Sequence, residues 1–138
     1  MKHHGFLHAA ILLSCAAPCF AQDMKPGLWE IVTTTRMQGM DLPGGRFAHC
    51  FTASDIAAGK QYNPDDTSKC SISNLKSAGG KISYDIDCAV EGGRMAGSSK
   101  GSMSPASYSW ELKIRMTPDQ GMGEIFSTVQ GRRTGDCK

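Results

Sequence analysis

The chain has 138 residues, with 15 Lys and Arg against 13 Asp and Glu and a net charge of +2. That length serves one domain. Without a basic cluster or a field of one sign, nothing in the composition is built to hold nucleic acid.

The first residues read as an address. Lys2, His3 and His4 precede an apolar run through Phe6, Ile11, Leu12 and Leu13 to Ala17, and Cys19 and Ala21 supply a small-x-small ending. A basic start, a short apolar stretch and a small-residue cleavage site make a secretory signal peptide. The run falls short of the roughly 20 apolar residues that span a bilayer. Cleavage after Ala21 leaves a single domain, residues 22–138, beginning at Gln22 and close to neutral, because Lys2 is the charged residue removed. No second apolar segment follows, so no transmembrane segment is expected in the mature chain. An alternative export reading takes Leu12-Leu13-Ser14-Cys15 as a lipobox with Cys15 acylated, but the apolar stretch continues past Cys15 and Ala21 offers the better site. Either way the expected location is periplasmic or secreted.

Along the mature chain, residues 28–37 read as a first strand, with Thr33, Thr34 and Thr35 adding β-branched side chains. Residues 39–45, with Met40, Pro43 and Gly44, read as a loop, and 46–50 as a short second strand. Thr52 is placed to cap a helix of one or two turns, with Asp55 three residues on and Gly59 as its stop. Residues 60–69 are polar loop. Strands are predicted over 70–76, 81–90 and 94–103. Over 107–116, Tyr108, Trp110, Leu112, Ile114 and Met116 alternate strictly with Ser107, Ser109, Glu111, Lys113 and Arg115, so one face is buried and the other wet. A last strand over 122–130 alternates less well, as a bulge would make it. Short strands at this spacing predict an all-β antiparallel meander, either a curved sheet or a small up-and-down barrel.

Cys15 and Cys19 leave with the signal peptide; Cys50, Cys70, Cys88 and Cys137 remain. An even number in a small exported domain is a disulfide framework. A zinc site would need close pairs such as C-x-x-C, which are absent. In the 70–88 hairpin, Cys70, Ile72, Ile82, Tyr84, Ile86 and Cys88 share even parity. A pairing that keeps them on one face sets Ile72 opposite Ile86 and Cys70 opposite Cys88, around a three-residue Ala78-Gly79-Gly80 loop. Cys70–Cys88 then bridges, and Cys50–Cys137 follows by elimination.

Met24-Lys25-Pro26-Gly27-Leu28-Trp29-Glu30, the segment Met37-Gln38-Gly39-Met40-Asp41-Leu42-Pro43, Cys50-Phe51-Thr52, the mid-chain Cys70 and Cys88, and the ending Gly131-Arg132-Arg133-Thr134-Gly135-Asp136-Cys137 together resemble the bacterial exported family known as domain of unknown function 3617. The resemblance covers the mature chain and implies a small exported protein without implying an activity. The methionine loop carries two methionines, fewer than the family pattern implies. A fold-level analogy also holds: Gly27-Leu28-Trp29 opens the first strand as G-x-W opens lipocalin-like barrels. In those barrels a late arginine packs over the tryptophan, a place for Arg132 or Arg133 in a cation–π contact.

Catalytic chemistry is not expected. His49, the lone histidine of residues 22–138, reads as a strand residue beside Cys50. Gly97-Ser98-Ser99-Lys100-Gly101 matches G-x-S-x-G, but that motif needs a strand–turn–helix setting and a later histidine. It reads instead as a strand of small residues. Asp85 and Asp87 belong to a wet strand face with no cleft to shift them, and Asp65-Asp66 lacks calcium-loop spacing. The reading that remains is a non-catalytic binding module for an apolar ligand or a protein partner in the envelope, using Trp29, Tyr108, Trp110 and Phe126 as its ligand face, with no cofactor. The alternative is a Cu(I) protein in which the thioethers of Met37 and Met40 act with His49. A structural envelope protein is the third.

Overall fold

In a computed structural model that describes residues 24–62 and 69–138, alternating sequence becomes seven strands: β1 (Gly27–Met37), β2 (Met40–Phe51), β3 (Lys69–Ala78), β4 (Lys81–Val90), β5 (Gly93–Met103), β6 (Ser107–Thr117) and β7 (Glu124–Gly135). One helix, α1 (Ala53–Ala57), follows β2. The signal peptide with its cleavage site, Cys15, and Asp65-Asp66 lie outside the described residues.

Helix α1 starts where its cap demands. The Asp55 amide donates to Thr52 Oγ1 (3.1 Å) and the Thr52 amide donates to Asp55 Oδ2 (2.9 Å), a reciprocal capping box. Those bonds, with Lys60 at 3.2 Å, hold the Asp55 carboxyl down at about 2.

Strand β2 corrects the expected loop over residues 39–45. The chain turns at Gln38-Gly39, both with positive φ, and β2 starts immediately at Met40. Pro43 and Gly44 are absorbed in a bulge, where the register passes from Thr33↔Gly45 to Thr35↔Leu42. Proline is tolerated there because β2 is an edge strand and its missing N–H breaks no inner ladder.

The β3–β4 hairpin also departs from expectation in one detail. Cys70 does face Cys88 and Ile72 faces Ile86, but the loop is the two-residue Gly79-Gly80, since Ala78 pairs with Lys81. Both glycines have positive φ, as a type I′ turn requires. A bulge at Asn74-Leu75, with Asn74 at φ 52°, corrects the register between turn and cysteines. The expected bulge within residues 122–130 is absent: β7 pairs with β6 without a break from Glu124 to Arg132. Its irregularity lies at Thr134, between the pairs Leu28↔Gly135 and Trp29↔Arg133.

The strands form one antiparallel sheet in the order β2-β1-β7-β6-β5-β4-β3. This is the cyclic order of an up-and-down barrel, left open between β2 and β3. With seven antiparallel strands the two edges run the same way, so antiparallel closure is impossible. The open sheet, of the two predicted forms, is the one found. The chain must also return from the end of β2 to the start of β3 along the height of the sheet. It does so through α1 and residues 58–62, placing Ile56 and Tyr62 against the core.

That core occupies one face, hereafter the inner face. Trp29, Ile31, Phe51, Ile82, Tyr84, Ile86, Cys88, Met103, Tyr108 and Trp110 are all buried there with Met24. Strand β5 contributes small residues: Gly97 faces Ile114 and Ile86, Ser99 faces Leu112 and Tyr84, and Gly101 faces Trp110 and Ile82. The G-x-S-x-G segment is thus a packing device, giving room to bulky neighbours on both sides. Gly131 does the same on β7. A Cβ there would meet the Tyr108 ring, which lies across β7 to stack on Trp29 with centroids 5.4 Å apart.

Cys50–Cys137 (Cα–Cα 5.6 Å) ties β2 to the tail after β7, and Cys70–Cys88 (Cα–Cα 3.9 Å) ties β3 to β4. Their sequence separations are 87 and 18. In the chain-entropy model closing such loops contributes about 4.5 and about 3 kcal/mol respectively. Urea denaturation should therefore show a larger loss for Cys137→Ser than for Cys70→Ser; the reverse order would show that loop closure does not govern the effect.

Candidate functional site

Register assigns every strand residue to a face, because partners in a ladder share a side. The inner face takes the odd positions of β1, β5's Met95, Gly97, Ser99, Gly101 and Met103, and the even positions of β4 and β6. Apart from His49, the one titratable cation or carboxylate among its strand residues is Arg133. Its guanidinium is occupied: Nε donates to Pro26 O (2.8 Å) and Nη2 to Asp136 Oδ1 (2.5 Å). Strand charges otherwise lie on the outer face. There Glu30 is bridged by Arg46 (3.0 Å) and Arg132 (3.4 Å), and these guanidiniums, Arg46 first, lower its pKa. Arg94 pairs with Asp87, and Asn74 donates to Asp85 (2.7 Å). Surface depressions mark this outer face too, with charged linings that include Glu30, Arg46 and Arg132 or Lys76, Lys100 and Glu111.

The inner face is covered unevenly. Trp29, Tyr108 and Trp110 form a continuous stack, Tyr108 and Trp110 lying 4.2 Å apart and 9° from parallel, and Tyr62 leans on Tyr84 (5.2 Å) and Trp110 (5.9 Å). Along the open seam the cover ends. Met40, Leu42 and Phe47 on β2 and Leu75 on β3 project from the inner face by register, yet all are exposed, Phe47 at 44%. Ile72, Leu112 and Val129 between them are half-buried.

One row of the inner face is polar. Across the sheet it reads Leu42, Thr35, Ser127, Leu112, Ser99, Tyr84, with Leu75 in the bulge opposite Tyr84. On one side the hydroxyls satisfy each other, Thr35 Oγ1 and Ser127 Oγ being 2.9 Å apart. On the other, Ser99 Oγ and the Tyr84 hydroxyl have no hydrogen-bond partner, and neither has Gln61 Oε1, one residue before Tyr62. All three residues are more than nine-tenths buried. Burial raises the Tyr84 pKa; the Ser99 hydroxyl offsets part of that shift, and the nearby Tyr62 phenol adds to it, but the Tyr84 and Ser99 oxygens fall short of hydrogen-bond geometry.

The predicted ligand face is divided by this arrangement. Trp29, Tyr108 and Trp110 share one interior and stack within it, whereas Phe126 stands on the outer face, 42% exposed, under Lys113 Nζ at 5.6 Å. The predicted arginine–tryptophan contact is replaced: Tyr108 takes the face of Trp29, Trp29 Nε1 donates to Lys25 O (3.0 Å), and the two arginines are held by carboxylates and Pro26. Met37 and Met40 oppose each other at the β1–β2 turn. His49 is at the other end of β2, beside Phe51 (4.4 Å), roughly 25–30 Å away at about 3.3 Å per residue. The three predicted copper ligands therefore do not meet. Sequence reading missed Tyr84 and Ser99 as a pair. Their signal was a hydroxyl facing a hydroxyl in two otherwise apolar or small alternations.

An open, disulfide-stapled antiparallel sheet with one apolar and one charged face is the class these features define. The chain belongs to the family described as protein of unknown function (DUF3617), whose model matches residues 24–137. No curated protein and no solved structure matches it.

Burial raises the pKa of Tyr108 as well as that of Tyr84. The unfolded phenols release their protons near pH ~10, before the folded ones do. Stability is then flat below that pH and falls as pH rises above it. Urea midpoints measured from about pH 9 to about pH 12 should fall, and Tyr108→Phe should make the fall shallower; an unchanged slope in that variant would show that the phenol is not the cause.

Proposed function

We propose that this protein is a non-catalytic carrier or binding domain for an apolar small molecule, exported to an oxidising compartment. The observation that carries the reading is the exposure of Met40, Leu42, Phe47 and Leu75 on the same face as the core, around the seam where β2 and β3 do not meet. Apolar side chains on the inner side of an incomplete barrel offer a lining that water covers poorly and an apolar ligand covers well. The outer face supports no such role, since its depressions are lined by charged and polar side chains.

Export is supported by the N-terminal signal pattern and by the two disulfides, which persist in oxidising compartments. Among the described residues no helix is long and apolar enough to cross a membrane. A protein partner docking by strand addition is the less favoured reading. Both free edges are blunted, β2 by Pro43 and its bulge and β3 by the bulge at Asn74-Leu75.

Binding of N-phenyl-1-naphthylamine, followed by its fluorescence, tests the proposal. Phe47→Asp and Leu75→Asp should each weaken binding about tenfold or more, in line with the roughly 1.5–3 kcal/mol carried by burying one large apolar side chain. Phe126→Asp, at a residue equally exposed on the opposite face, should leave it unchanged. Equal losses in all three variants, or no binding by the parent protein, would overturn the reading.

A further inference from the structure

We infer that the unpaired hydroxyls of Tyr84 and Ser99 are a recognition site for the head of an uncharged amphiphile, an alcohol-type ligand whose apolar tail lies along the seam. The inference rests on the apolar-ligand reading above and adds to it the chemistry of the ligand's polar end.

Buried polar groups are almost always hydrogen-bonded, and leaving one unpaired is costly. Two such atoms on facing residues, both at least nine-tenths buried, need a reason. Tyr84 and Ser99 are direct ladder partners, and Tyr62 lies against the Tyr84 ring. Their row has its own contrast: Thr35 and Ser127, on the far side of Leu112, are paired with each other. The row is thus not short of polar geometry; it is incomplete at one place.

That place adjoins the exposed apolar lining. Leu75 sits in the bulge opposite Tyr84, and Leu112 faces Ser99 across the ladder. A tail lying over Leu75 and Leu112 toward Leu42 and Phe47 brings its head to the two hydroxyls. Charge complementarity then sets the head's chemistry. Tyr and Ser each both donate and accept, so the pair suits a group that also donates and accepts. A hydroxyl does both. An ionised head would need a buried counter-charge, and the inner face provides none beside Tyr84: Arg133, its guanidinium held by Pro26 and Asp136, and His49 both stand on the row of Trp29, away from Tyr84.

Competition against N-phenyl-1-naphthylamine on the purified, oxidised protein tests this, using 1-decanol and decanoate at a pH where the acid is ionised. Decanol should displace the probe, and decanoate should do so more weakly. Tyr84→Phe and Ser99→Ala should each weaken decanol binding about tenfold, the loss of one hydrogen bond to a buried group. Both should leave probe affinity and the stability of the unliganded protein unchanged or, for stability, raised. Decanol affinity equal in parent and variants, with probe binding intact, would overturn the head-group site while the apolar-ligand reading stands. Decanoate binding as well as decanol would overturn the requirement for an uncharged head. Failure of the parent to bind the probe at all would remove the underlying reading and this inference with it.

Discussion

The rest of the structure depends on a constraint of parity. β1 pairs with both β2 and β7, and the meander from β3 to β7 supplies the remaining neighbours, so seven antiparallel strands end on two edges that run in the same direction. Those edges cannot bond to each other as antiparallel neighbours. One side of the potential barrel therefore stays open, and the segment joining the edges must travel back along the sheet. Its described part brings Ile56 and Tyr62 onto the core, while Phe47 and Leu75 at the two edges stay exposed. Both the closed end and the open seam of the inner face follow from the same count.

Within that frame, size complementarity decides the packing. Trp29, Tyr108 and Trp110 come from strands that are not all adjacent, and they stack because Gly131 leaves the surface of β7 free for the Tyr108 ring. Gly97, Ser99 and Gly101 play the corresponding part on β5. Bulky side chains on every strand would have forced the sheet to part or flatten; small ones on alternate strands let the large ones interdigitate at interior density. Ser99 is the exception that keeps a polar atom in the stripe, opposite the one phenol whose hydroxyl is likewise unpaired.

Charge is sorted with equal strictness. The outer face carries cross-strand ion pairs such as Arg46–Glu30–Arg132, exposed enough that they contribute solubility and register more than stability. Apart from His49 and the occupied Arg133, the strands of the inner face carry apolar and hydroxyl groups. This division separates a surface fitted to water from one fitted to an uncharged organic molecule.

Local chemistry in the sequence was sufficient for several features. Strict alternation over β6, the capping residues Thr52 and Asp55, and the shared parity of Cys70, Ile72, Ile86 and Cys88 each act over a few residues, and each appears as read. The bulges were not legible. Pro43-Gly44 looked like a loop because proline and glycine break isolated strands, and only its position on a sheet edge made a strand possible there. The Gly79-Gly80 turn looked incompatible with the cysteine register because nothing local announced the compensating bulge at Asn74-Leu75. The candidate site was hidden for the same reason. Tyr84 and Ser99 are 15 positions apart in sequence and become a pair through the β4–β5 register alone. Whether Trp29, Tyr108 and Trp110 lie open or stacked depends on strands brought together across β7. Sequence by itself determined which residues could be buried, because alternation and side-chain chemistry are local. Tertiary structure decided which of them are covered, because cover is supplied by whichever distant segment the topology lays across them.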